Sequence, residues 1–353
     1  MALRMSSMLR TAGDVRGTRP TAQQATTPSK EAKLHKEEPL PEGLPALEET
    51  ADVAAPVPRS DAEIYKRLIG VAEQVFAAAC SGETPDENAI VRALRACMNK
   101  LREGEGLLAE TMRRVGAAPG LPQRGADSAI LSMRLGLELG ADDKRCLAVG
   151  LCGLMHDLGM LKVPKEVLQE ESLSAEGFAL LGRHPVETQR ILEDFGPAFA
   201  RLGKIVVQVH ERRDGSGYPQ GLNRDEIHEI AQLVGLADTY LAMAHPRIDR
   251  PGVVVYNALK NVIDMRRTLF DIKLVKALIN IVSIFPLGSL VKLNNNEIGR
   301  VIGTSRLHPT RPKVEVLLDS RGHPLKPPRQ MVLEEEPMVY IVNPAIEEDV
   351  LKK

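Results

Sequence analysis

The stretch Met155-His156-Asp157-Leu158-Gly159 decides how the rest of the chain is read. An imidazole and a carboxylate stand side by side at the end of an apolar run. Further ligand-type residues follow in His184-Pro185, His210-Glu211 and Ala237-Asp238. The steps from His156 to His184, on to His210 and on to Asp238 are 28, 26 and 28 residues. Each step is about one helix plus a connection, so the spacing predicts that successive helices of one bundle deliver these side chains. Neutral imidazole and carboxylate are donors that divalent transition metals accept. Facing helices that aim them inward are a common way of building such a site.

Composition narrows the partners. The chain has 353 residues and a formal net charge of −1, so it has no global attraction to nucleic acid or to an anionic membrane. Tryptophan is absent and aromatics make up 3% of the chain, which argues against base-stacking platforms. No apolar run approaches the roughly 18 residues of a spanning helix. The expectation is therefore no nucleic-acid polymer and no membrane as partner. Cys80, Cys97, Cys146 and Cys152 form no Cys-x-x-Cys pair and sit in helical, mostly apolar surroundings. They read as reduced, buried thiols, and the location expected is cytoplasmic.

Four segments follow from the pattern. Residues 1–58 are rich in Pro, Ala, Thr and Glu without periodicity and read as a disordered leader. A helical hairpin is expected over 59–115. It opens with the capping box Ser60-Asp61-Ala62-Glu63 and carries an apolar stripe through Ile64, Leu68, Val71, Val75 and Phe76. Packing or homodimerisation through these helices is the role expected of them. Residues 116–286 form the main helical domain, with a break at 116–124 and helices from Asp127 to Leu139 and from Asp142 into His156. A helix capped by Ser174 is expected to reach His184, and one lined by Phe199, Leu202, Ile205 and Val206 to deliver His210 near its end. Asn223 is expected to cap a long helix that carries Asp238. Past Pro286 the period changes to two, and residues 287–345 read as a small antiparallel β module. The fold class is thus mainly α, a helical bundle with an N-terminal hairpin and a C-terminal β module.

Asp238 gives the strongest single-residue argument. It shares a helix face with Ile227, Ile230 and Val234. A carboxylate emerging from an apolar stripe needs a cation or strong donors, since burying it unpaired costs several kcal/mol. The loop Asp214-Gly215-Ser216-Gly217-Tyr218-Pro219 has the composition of a turn, and composition alone asks no more of it. Glu211 reads as a supporting or surface charge.

In their order, His156-Asp157-Leu158-Gly159, His184-Pro185, His210-Glu211, Asp214 to Pro219, Ala237-Asp238 and Phe270-Asp271 resemble the HD-GYP family of metal-dependent phosphohydrolases. The resemblance is specific over roughly residues 120 to 286. It implies an HD-type all-α bundle that hydrolyses cyclic di-GMP or a related phosphoester. It implies one or two divalent ions, iron or manganese, held by His156, Asp157, His184, His210 and Asp238. Asp157 would bridge the ions, and His156 with Asp157 would be catalytic. Arg247 and Arg250 would meet the substrate phosphates. Gly217, Tyr218 and Pro219 would shape the substrate site and offer a docking surface for a protein partner. The sequence also departs from the family pattern. Arg124 stands where the family has a histidine, Val209 replaces the first of two paired histidines, and Met160 and Leu241 replace a lysine and an aspartate. These departures imply weakened activity, or a catalytically inactive sensor or adaptor on the same scaffold.

Overall fold

Ser60 opens the first helix with a reciprocal cap: its hydroxyl accepts from the Glu63 amide at 3.2 Å, and its own amide donates to the Glu63 carboxylate at 3.3 Å. The helix runs Asp61–Ser81 (α1) and ends at Gly82 in the left-handed region, φ 77°. A computed structural model describes residues 40, 60–112, 120–169, 174–244, 255–265, 268–282, 285, 289–305, 308 and 310–345. Apart from Leu40, the expected leader lies outside the described residues, as do Arg247 and Arg250. The described residues divide into two compact units, one up to residue 242 and one from 243 onward.

In the first unit, α1 is followed by α2 (Glu87–Glu103) and α3 (Gly106–Met112). The apolar stripes of α1 and α2 are buried, with Leu68, Ala72, Leu94 and Cys97 fully covered. Both helices pack on α4 (Leu121–Glu138), and α2 also packs on α5 (Asp143–Met155). The expected hairpin is therefore part of the same compact unit as the site helices. Burying several large aliphatic side chains, at about 1.5–3 kcal/mol each, is enough to hold it there. Helices α4 and α5 meet through Gly125, Ala129 and Gly153, and such small residues let their backbones approach closely. Helix α4 starts before the expected Asp127. Gly120 stands at its N-cap and Pro122 in its first turn, so Arg124 is helical and does not lie in a break.

A 3₁₀ turn (Leu158–Lys162) leads to α6 (Lys165–Gln169), α7 (Ala175–Leu181), α8 (His184–Asp194) and α9 (Pro197–Val206). Ser174 caps α7 by accepting from the Gly177 amide, but α7 stops at Leu181. His184 begins a new helix, because Pro185 has no amide to satisfy and suits the first turn. Asn223 caps only a short 3₁₀ turn (Arg224–Glu226), and the long helix α10 starts later, at Glu229, and runs to Ala244.

The second unit holds α11 (Val255–Met265), α12 (Ile272–Ile281) and a five-stranded antiparallel sheet. Its strands are β1 (Leu290–Leu293), β2 (Ile298–Gly303), β3 (Lys313–Leu318), β4 (Pro324–Val332) and β5 (Ile341–Pro344). The order is β4-β3-β2-β1-β5, a meander whose last strand returns beside the first. Val291, Leu293, Val301, Val314, Val316 and Leu333 alternate inward and form its core. Three of the four cysteines are buried, but Cys80 is exposed, contrary to the expectation that all four are covered. Among the described residues no helix is long and apolar enough to cross a membrane.

Candidate metal centre

Asp157 stands at the centre of the ligand set. Helix α5 ends at Met155, His156 occupies its C-cap, and the chain turns so that His156 and Asp157 are both buried. Gly159 then lets α8 cross at contact distance, since a Cβ there would stand 2.0 Å from the His184 carbonyl oxygen. Thr188, four residues after His184, fastens the crossing. Its Oγ1 accepts from the Gly159 amide at 2.8 Å and is placed to donate to the carbonyls of His156 (3.0 Å) and His184 (2.9 Å). Sequence reasoning missed Thr188; the signal was its i+4 position on the same helix face as His184.

The five predicted ligands converge. Asp157 Oδ1 lies 3.4 Å from His184 Nε2, 3.5 Å from His156 Nε2 and 3.9 Å from His210 Nε2. His156 Nε2 is also 3.5 Å from Asp238 Oδ1, and the Nε2 atoms of His184 and His210 are 2.9 Å apart. Two overlapping groups result, Asp157-His184-His210 and His156-Asp157-Asp238, with the ligand atoms of each within 4.8 Å of one another. An ion about 2.1 Å from each donor holds neighbouring donors about 3 to 3.4 Å apart, and these separations lie close to that range.

The ring orientations suit a cation. His184 Nδ1 lies 2.8 Å from the Leu181 carbonyl and His156 Nδ1 2.9 Å from that of Gly153. A carbonyl only accepts, so each Nδ1 carries the proton, and in the neutral ring each Nε2 turns a lone pair to the centre. His156 Nε2 is buried and makes no hydrogen bond. Largely buried imidazole and carboxylate donors converging on one centre are what a metal ligand set presents.

Charge is distributed unevenly around this centre. Burial opposes ionisation of Asp157, yet His156 and Arg124 hold its carboxyl well below the usual range. Burial opposes it at Asp238 too, and the His156 contact lowers that carboxyl to about 2. Burial would lower His156, but Asp157 and Asp238 overcome it and raise the ring to about 9. His210 is pushed the other way, well below its usual value, by burial and by His184. Arg124 Nη2 lies 3.0 Å from Asp157 Oδ2. That oxygen makes no hydrogen bond, so the contact is an ion pair without an aligned N–H. Met160, Val209 and Leu241 are buried apolar residues and add no donor.

His210 lies in the turn after α9, four residues beyond its end, and not on the helix itself. Tyr218 stacks on its ring, with centroids 5.1 Å apart and planes 5° from parallel. Glu211 is no surface charge: it is buried, and its carboxylate accepts from the amides of Gln220 (2.6 Å), Gly221 (3.2 Å) and Leu222 (3.0 Å). Gly217 lies so close to the Glu211–Arg212 backbone that a Cβ would stand 2.3 Å from the Arg212 amide nitrogen. Arg212 braces the same turn, donating to the Val209 and Glu211 carbonyls and to Thr239 Oγ1 on α10.

Residues 109–274 match the HD domain model, and residues 290–353 match a KOW domain associated with HD domains. The ligand residues from His156 to Asp238 therefore lie within an HD domain. Among curated relatives, it is 30% identical to the cyclic di-GMP phosphodiesterase PA4108 of Pseudomonas aeruginosa, over 54% of this chain and 46% of that one. It is 25% identical to the cyclic di-GMP phosphodiesterase PdeB of Borreliella burgdorferi, over 54% of this chain and 51% of that one. The chain thus spans about half the length of these relatives. The solved structure of Bd1817, an HDG"Y"P protein from Bdellovibrio bacteriovorus, shares the fold with a TM-score of 0.52 and 24% identity, covering 63% of this chain and 71% of that one.

Proposed function

We propose that this chain is a metal-dependent phosphodiesterase that opens cyclic di-GMP to a linear dinucleotide, with turnover weakened by Arg124. The observation that carries this reading is the convergence of Asp157, His184 and His210, with the two Nε2 atoms 2.9 Å apart. PA4108 and PdeB are cyclic di-GMP phosphodiesterases, and their likeness supports the substrate class. Two imidazoles and a carboxylate suit iron or manganese. When bound, such an ion supplies Lewis acidity, lowering the pKa of water and offsetting charge on phosphoryl oxygens. The chain's own residues do the rest. Asp157, His184 and His210 hold the ion, and His156 and Asp238 complete the polar wall. Gly217, Tyr218 and Pro219 bound the substrate side, fixed there by Glu211. Arg247 and Arg250, outside the described residues, would bind substrate phosphates through guanidinium forks.

The same loop presents the exposed Ser216 and Gln220 and is the surface offered to a protein partner. A homodimer through α1 and α2 would have to use their polar faces, because their apolar stripes are buried within the unit. Incubation of the full chain with Mn²⁺ and cyclic di-GMP, followed by chromatography, tests the enzymatic reading. It expects a linear dinucleotide that disappears with chelator, and no product under any metal would overturn it. One observation favours a second reading, a nucleotide-responsive sensor or adaptor without turnover. The Arg124 guanidinium already pairs with the carboxylate that an ion needs.

A further inference from the structure

The two ligand groups share one residue, Asp157, and its two oxygens are not equivalent. Oδ1 faces the three imidazole Nε2 atoms at 3.4, 3.5 and 3.9 Å. Oδ2 faces the Arg124 guanidinium at 3.0 Å. A carboxylate that bridges two ions ordinarily gives one oxygen to each, and here one of the two already faces a positive charge. We propose that Arg124 replaces one cation of the pair, so that the centre binds a single divalent ion on Asp157 Oδ1, His184 and His210. The inference rests on the metal-dependent reading above and specifies how many ions the site holds and where.

Two further features point the same way. The acids whose fields act most on Arg124 are Asp157 first and Asp238 second. Its charge therefore falls on the His156-Asp157-Asp238 group, where it competes with a divalent ion for the same carboxylates. The other group has different chemistry. His184 and His210 turn nitrogen to nitrogen at 2.9 Å, and both face Asp157 Oδ1, at 3.4 and 3.9 Å.

The test counts ions directly. Full-length protein is stripped with chelator and titrated with Mn²⁺, bound ion is measured by elemental analysis, and the spectrum is recorded by electron paramagnetic resonance. The expected result for the native chain is one ion with the hyperfine pattern of an isolated Mn²⁺. His184→Ala loses that ion and His156→Ala keeps it. Arg124→Met, with Arg124→Gln as the alternative if the first fails to fold, gains a second ion and the broadened signal of a coupled pair. Two coupled ions in the native chain would overturn the inference while leaving the hydrolase reading intact. Loss of the ion in His156→Ala but not in His184→Ala would overturn it as well. So would an unchanged count in both Arg124 variants. Absence of any ion would overturn it too, and a product assay on the same preparation shows whether the hydrolase reading falls with it.

Discussion

His184 and His210 bring their Nε2 atoms to 2.9 Å from one another, with the His184 proton committed to the Leu181 carbonyl on the far side of its ring. With His184 Nε2 left as an acceptor, it takes either a proton from His210 Nε2 or a cation, and a cation there would also be held by Asp157 Oδ1. Divalent ion should therefore stabilise the fold. At an ion concentration of 100 times Kd the gain is about 2.7 kcal/mol, a rise of several degrees in melting temperature for a unit of this size. Differential scanning fluorimetry with chelator and then with Mn²⁺ measures it. His184→Ala should abolish the rise, and a full rise in that variant would place the ion elsewhere.

Glu211 should act as a clasp for the loop that carries Tyr218. Its buried carboxylate accepts from three successive amides, and a hydrogen bond to a charged group contributes about 1.5–3 kcal/mol. Glu211→Ala should raise amide exchange at Gln220–Leu222 by about tenfold or more and loosen Tyr218 from His210. Unchanged protection at these amides would contradict the clasp.

A hydrogen bond ties α1 to the site helix, because Tyr65 donates to Asp127 Oδ1 at 2.6 Å. Gln123, next to Arg124, donates in turn to the Tyr65 hydroxyl at 3.3 Å. Tyr65→Phe should cost about 1–2 kcal/mol, read as a lower denaturation midpoint with unchanged slope. A midpoint equal to that of the native protein would remove α1 from the support of the site.

Stability of the ion-free protein should fall at both ends of the pH range. His156 is raised from 6.5 to about 9. Its contribution is complete below about pH 6.5 and disappears as pH rises through 9, on the order of 3 kcal/mol in all. Asp238 is depressed to about 2, so its contribution is present above about pH 4 and is lost as pH falls through 2. Urea denaturation in chelator at pH 6.5 and pH 9.5 checks the alkaline limb. His156→Gln should flatten it, and a limb that persists in that variant would assign it to another group.

Much of the site was legible in the sequence, because ligand residues at 28, 26 and 28 positions apart fix one per helix or turn. Asp238 stood out as an acid on an apolar face, and it is partly buried, with Oδ1 3.5 Å from His156 Nε2. Local punctuation read less well. Ser174 and Asn223 are good caps, but each caps only a short element, because tertiary packing, and not the cap, decides where a helix continues. Strand β4 escaped notice because Pro327 and Pro328 break a strand pattern, yet β4 is an edge strand, where a missing amide costs no ladder bond. Glu211 escaped because its partners are backbone amides of a loop, which leave no mark in residue type.

Turnover of cyclic di-GMP by the Mn²⁺-loaded full chain, followed beside Asp157→Asn, is the most direct measurement of all. The native chain should produce linear dinucleotide at a low but metal-dependent rate, and Asp157→Asn should lose both bound ion and product. Native protein that holds its ion and binds the cyclic dinucleotide without ever cleaving it would contradict hydrolysis.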